Sequence, residues 1–161
     1  MRIVVLLSAA LLATLSAAQS PKTKPGSPDP PKKDVPYILH ADNLVETNVG
    51  EARQESRKDE QVFTIPGPGA TAKTPLAAPE FLLNAEAIAP DRLQLYKLES
   101  KNGRREVVVT RKKKPVAKPA RITVFLLHDR VFRIRVDDSL TPGEYALSPD
   151  GSNAVFCFAV E

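Results

Sequence analysis

The sequence predicts an all-β fold: an antiparallel β-sandwich, immunoglobulin-like in general form, over residues 36–161. Three observations predict it. Beyond Pro36 the apolar residues come in short runs cut by Gly, Pro, Asn and Asp, in a chain that carries 15 prolines and 7 glycines, the spacing of strands and turns rather than helices. Three pairs of runs flank tight-turn sequences, Lys101-Asn102-Gly103, His128-Asp129-Arg130 and Pro149–Asn153, each read as a hairpin. Some runs alternate cleanly: Phe132, Ile134 and Val136 face one way and Arg133 and Arg135 the other, which is a strand with one buried and one solvated face.

The elements follow in order. Residues 1–18 read as a secretory signal peptide. Arg2 supplies a short positive start, Ile3–Leu15 is apolar apart from Ser8 and Thr14, and Ser16-Ala17-Ala18 offers the small residues of a cleavage site after Ala18. The apolar run is shorter than the ~20 residues that span a bilayer, and no later run is long and apolar enough for a transmembrane helix. The chain is expected to be exported, to the periplasm or the extracellular space. Residues 19–35, rich in Pro and Lys, lack the apolar surface that would offset the entropy of ordering, and read as a disordered, extended spacer. The one cysteine, Cys157, excludes an internal disulfide, so stability has to come from an ordinary core.

Tyr37–Ala41 reads as the first strand. Asn43–Glu60 is ambiguous: Asn43 with Glu46 resembles a helix cap. Gly50 and the like-charged pairs Glu51/Glu55 and Arg53/Arg57 at helical spacing argue against a helix. As a strand, Glu51, Arg53, Glu55 and Arg57 line one solvated face with alternating sign, so the segment is expected as strand, leading through Lys58-Asp59-Glu60 into Gln61–Ile65. Residues 66–79 read as a long proline-broken loop, followed by a strand at Glu80–Ala85. Leu93–Glu99 pairs with Glu106–Thr110 across Asn102-Gly103. Ile122–Leu127 pairs with Val131–Val136, and Glu144–Ser148 with Ala154–Val160. In the last of these both faces are apolar, Phe156, Phe158 and Val160 on one and Val155, Cys157 and Ala159 on the other, the mark of a central strand covered on both sides.

The segments "LQLYKLESKNGRREVVV" and "LTPGEYALSPDGSNAVFCFAVE" resemble uncharacterised bacterial secreted or periplasmic proteins that share a "PGEYAL…VFCF" ending. The likeness runs over most of residues 36–161. It implies an extracytoplasmic β-rich domain and brings no catalytic or binding residues with it.

Reactive side chains are few. His40 and His128 stand apart in the sequence, and Cys157 lies in an apolar strand, short of the three or four ligands a zinc site takes. Asp137-Asp138 and Asp150–Asn153 lack the ligand spacing of a calcium loop, and Gly67 and Gly69 lack the Gly-Lys-Ser/Thr of a phosphate loop. The sequence therefore predicts no catalytic residue, no cofactor and no metal.

One stretch stands out. In "RKKKPVAKPAR", Arg111, Lys112, Lys113, Lys114, Lys118 and Arg121 occur with no acid between them. The formal charge of the whole chain is +4, so these six cations sit on a body that is otherwise net acidic. No aromatic interleaves them, so base stacking and specific nucleic-acid binding are not supported. Two readings compete. One is a solvated hairpin loop between Glu106–Thr110 and Ile122–Leu127 whose charges keep neighbouring strand edges from pairing with other molecules. The other is a contact for a polyanion. The sequence thus points to a non-catalytic exported binding or scaffolding module of the cell envelope, with an envelope protein or an anionic envelope polymer as partner. A polyanion-binding protein acting through residues 111–121 is the second reading, and a cryptic hydrolase the third.

Overall fold

The computed structural model describes residues 28–161. The expected signal peptide, residues 1–18, and residues 19–27 of the expected spacer lie outside the described residues. The described chain is built of strands, with one short 3-10 turn at Pro90–Arg92. The first seven strands are β1 (Tyr37–His40), β2 (Asn43–Glu46), β3 (Asn48–Glu51), β4 (Arg53–Arg57), β5 (Glu60–Pro66), β6 (Lys73–Thr74) and β7 (Glu80–Asn84). The rest are β8 (Leu93–Lys101), β9 (Arg104–Arg111), β10 (Lys114–Pro115), β11 (Ile122–His128), β12 (Val131–Val136), β13 (Gly143–Pro149) and β14 (Ala154–Val160). They form the expected antiparallel sandwich. The smaller sheet has the order β11-β12-β7-β1-β2, and the larger runs β3-β14-β13-β8-β9-β5-β4. Short β10 pairs with β9, and β6 pairs in parallel with β14.

The core between the sheets follows from alternation. Ile38, Phe81, Leu83, Ile134 and Val136 point inward from the smaller sheet, and Leu93, Leu95, Tyr145, Leu147, Phe156, Phe158 and Val160 from the larger one. Phe158 is at the centre and wholly buried. Its ring lies edge-on to Phe81 at 5.0 Å and stacks on Tyr145 at 5.7 Å, the two arrangements that suit aromatic quadrupoles.

Residues 43–57 are strand, as their charge alternation predicts, but divided. At Thr47 the chain leaves β2 in the smaller sheet and enters β3 in the larger one. Thr47 is buried there, with its hydroxyl donating to Pro36 O at 2.7 Å. Only Ala52 separates β3 from β4, and these are the two ends of the larger sheet's order. The sheet therefore returns on itself and curls into a barrel-like roll. A second core fills part of its interior: Ala52, Ile65, Leu98, Ala146, Val155 and Cys157, with Phe63 and Val107. Ile65 on β5 and Val155 on β14 meet in it although β9, β8 and β13 lie between their strands. Strands β13 and β14 are thus covered on both faces, as the two-faced apolar pattern of Ala154–Val160 requires.

The ordered fold begins earlier than residue 36. Within the segment expected as a disordered spacer, Lys33 bridges Asn84, and Asp34 N donates to Asn84 O at 2.8 Å. The Asp34 carboxylate accepts the amides of Glu86, Ala87 and Ile88 at 2.8, 3.0 and 3.0 Å. Burial works against its ionised form, but these three donors outweigh it and hold its pKa below the usual carboxylate value. Residues 66–79 also depart from a plain loop. They contain β6, and Ala70, Ala72 and Thr74 are buried against the barrel and its last strand.

Candidate functional site: the basic stretch and the barrel lumen

The basic stretch is not a hairpin loop between Glu106–Thr110 and Ile122–Leu127, because those segments lie in different sheets. It is the crossover between the two layers. Strand β9 runs on to Arg111, turns at Lys112-Lys113, and returns as β10, with Lys114 opposite Arg111 and Pro115 opposite Thr110. The chain then crosses to β8: Val116 N donates to Val109 O at 2.9 Å, and Ala120 N to Leu95 O at 2.8 Å. Strands β8 and β9 pair only where Glu99–Lys101 meets Arg104–Glu106. Residues 114–120 occupy the seam where the two strands part. Prolines suit such a segment because its amides are not all called on by a ladder.

The six cations are divided by this path. Arg111 is paired with Glu60 at 2.7 Å. Arg121 enters β11 and is held by Asp138, whose carboxylate takes its backbone amide at 2.7 Å and its guanidinium Nε at 2.8 Å. Lys118 lies exposed over the seam. Lys112, Lys113 and Lys114 are exposed at the end of the roll and have no ion pair among the described residues. A fourth lysine joins them. The β4–β5 hairpin turns at Lys58-Asp59, and Lys112 N donates to Asp59 O at 2.7 Å, tying the two turns side by side.

These turns are unusual in their chemistry. Both central residues of the β9–β10 turn have positive φ, 49° at Lys112 and 61° at Lys113, and Lys58 has φ 51°. A two-residue turn of this kind normally takes Asn-Gly, as the β8–β9 turn does with φ 52° at Asn102 and 73° at Gly103. Placing a lysine there costs roughly 1–2 kcal/mol per residue. Three lysines at one end of the molecule thus occupy positions that local conformation disfavours. Lys58 escaped the sequence reading because it neighbours residues 112–114 only through the pairing of β5 with β9, which sets Glu60 opposite Arg111.

Beneath the seam lies the lumen of the roll, a cavity of about 220 Å³. Its walls are apolar. Its mouth is formed by Gln94, Tyr96, Ser148 and the β13–β14 turn at Pro149–Ser152. Tyr96 donates its hydroxyl to Gln94 Oε1 at 2.7 Å, and burial, with Asp150 nearby, pushes the phenol pKa up. At the far side a buried ion pair closes the wall. Arg105 lies 3.5 Å from Glu144 and donates to Gly67 O at 3.2 Å and Pro66 O at 3.0 Å, while Glu144 accepts Ala70 N at 2.9 Å. A Cβ at Gly69 would stand 3.0 Å from Glu144 Oε1 and press on this carboxylate. Cys157 sits in the same core, and burial raises its thiol pKa, which suppresses the reactive thiolate.

Other features of the sequence fall elsewhere. His40 and His128 are exposed, on different strands, and His128 Nε2 lies 3.1 Å from Asp29. No group of three or more potential metal ligands occurs among the described residues. The outer strand of the smaller sheet, β11, presents Phe125, Leu126 and Leu127 to solvent, Leu126 at 61% exposure. No model of a protein family matches the chain, and neither a curated protein nor a solved structure matches it.

Proposed function

We propose that this chain is a non-catalytic, exported binding module that contacts an anionic polymer of the cell envelope through Lys58, Lys112, Lys113 and Lys114. The observation that carries the proposal is the tip itself: four lysines on two adjoining turns without an ion-pair partner among the described residues, three of them at positive φ. Strained backbone at an exposed position is a reason to ask what the side chain does there. Lysine fits this role, since it presents a hydrated point charge to phosphates or sulfates without requiring planar, two-pronged geometry.

The test is binding of the full exported chain to immobilised dextran sulfate across a salt series. Counterion release makes the logarithm of affinity fall linearly with the logarithm of salt, with a slope set by the number of cations engaged. Replacing all four lysines with Gln should flatten that slope to near zero, while Arg111→Gln and Arg121→Gln, whose charges are already paired, change it little. Equal slopes in the wild type and the four-lysine variant reject the proposal.

A second reading rests on β11. Among the described residues its outer edge pairs with no other strand, and three large apolar side chains stand exposed along it, the form in which a sheet accepts an added strand from a protein partner. An envelope protein held this way binds in a salt-resistant manner, and Leu126→Lys removes it without touching the lysine tip.

A further inference from the structure

We infer that the lumen of the barrel-like roll is a binding site for a small, uncharged, apolar molecule with a single hydrogen-bonding head, the size of a two-ring aromatic or a medium-chain alcohol. A small roll normally fills its interior with its own side chains. Here the small residues Ala52 and Ala146 both line the lumen, and the larger residues around them, Phe63, Leu98, Val107, Val109 and Val155, leave about 220 Å³ unfilled. An apolar cavity of ~150 Å³ stays dry and takes benzene, so this one has room for a second ring or a short chain.

The polar groups at its mouth define the head. Ser148 donates its hydroxyl proton to Ala154 O at 2.8 Å, so it can offer a ligand only an acceptor. The Tyr96 hydroxyl donates to Gln94 Oε1 at 2.7 Å, which leaves the Tyr96 oxygen as an acceptor and the Gln94 amide nitrogen as a donor at the rim. Charge is disfavoured. Asp150, the one ionised residue of the lining, is paired with Arg92 at 3.0 Å, and Arg105 behind the wall is paired with Glu144. A carboxylate ligand would meet Asp150 without a free cation to compensate it, whereas an alcohol or phenol can both donate and accept at the rim.

The site is independent of the lysine tip and is tested separately from it. The full exported chain is titrated with the uncharged two-ring fluorophore 2-naphthol, and bound probe is displaced with decan-1-ol or with decanoate. The wild type should bind the probe saturably at one site. Ala146→Leu, which fills the lumen, should weaken binding at least tenfold, and so should Val109→Phe, which enlarges a half-exposed lining residue and does not load the core. Phe125→Ser and Leu126→Gln on the exposed strand should leave binding unchanged, and decan-1-ol should displace the probe at least tenfold better than decanoate. Absence of saturable binding to the wild type overturns the inference. So does binding that is lost with the β11 variants and kept in the lumen variants. Equal displacement by decanoate overturns the assignment to an uncharged ligand. If Ala146→Leu fails to fold by circular dichroism, Val109→Phe decides.

Discussion

Glu106→Gln probes how the outer wall of the roll is held. Glu106 on β9 is buried, its side chain 6% exposed. Its two carboxylate oxygens accept hydrogen bonds from Arg57 on β4, at 3.0 and 3.3 Å. The pair reaches across β5, since both β4 and β9 are partners of β5. Arg57 also donates to Glu55 at 2.8 Å, and Arg104 reaches Glu55 at 3.4 Å. The Arg57 side chain hydrogen bond holds the Glu106 pKa below its usual 4.5, against the effect of burial. A hydrogen bond to a charged group contributes roughly 1.5–3 kcal/mol. Arg57 is a third exposed and keeps Glu55 as a partner, so solvent screening reduces the loss in the variant to about 1–2 kcal/mol at pH 7. The sign with pH follows from the lowered pKa. The contribution of Glu106 is present above the unfolded value near 4.5 and is lost as pH falls through the folded value. Other carboxylates titrate in the same range, so the informative quantity is the difference between the two chains. Urea unfolding of wild type and Glu106→Gln at pH 7, 5, 4 and 3 should show a gap that is widest at pH 7 and closes in acid. A gap that stays constant to pH 3, or a variant as stable as the wild type at pH 7, would refute the reasoning.

Three further outcomes follow from the packing and the backbone. Phe158→Ala removes a wholly buried ring that touches Phe81 and Tyr145 and should cost roughly 3–5 kcal/mol in denaturant unfolding; a loss under 1 kcal/mol would mean that the two layers do not meet as described. Gly103→Ala puts a side chain at φ 73° with no atom within 4 Å of the new Cβ, so the cost is conformational alone, about 1 kcal/mol, and Gly103→Asn should recover most of it. Cys157, buried and with its thiol pKa raised, should react with a thiol reagent such as dithiobis-nitrobenzoate only at the rate of unfolding; fast labelling of the native chain would contradict its placement.

What was legible in the sequence was local. Asn102-Gly103 announces a turn because its two residues tolerate positive φ, and the structure places β8 and β9 on either side of it. The alternating charges of Glu51, Arg53, Glu55 and Arg57 separated strand from helix, and two of them, Glu55 and Arg57, do meet on one face. The two-faced apolar run of Ala154–Val160 identified a strand covered on both sides. What was missed depends on pairing across long stretches of chain. Nothing in Glu106–Thr110 or Ile122–Leu127 states that they join different sheets, so the basic stretch looked like a hairpin loop. Lys112-Lys113 carries no turn-forming residue, and its turn exists because β10 pairs back on β9 and Asp59 accepts the Lys112 amide. The same holds for the lumen. Ala52 and Ala146 are ordinary small residues until the continuity of β3 with β4 brings them into the lining of one lumen. Asp34 likewise sat in a segment too polar to expect order, and its order comes from three amides presented by residues 86–88.

The central claim, that the tip formed by two adjoining turns is where this chain meets an anionic polymer, is tested most directly by mapping. The backbone amides of the isotopically labelled chain are followed by NMR while a short dextran sulfate is added at low salt and then displaced with sodium chloride. The account predicts salt-reversible shifts concentrated at Lys58, Asp59, Lys112, Lys113 and Lys114, with small changes at Arg121 and along Ile122–His128. Shifts centred on Ile122–His128, or none at the two turns, would contradict it.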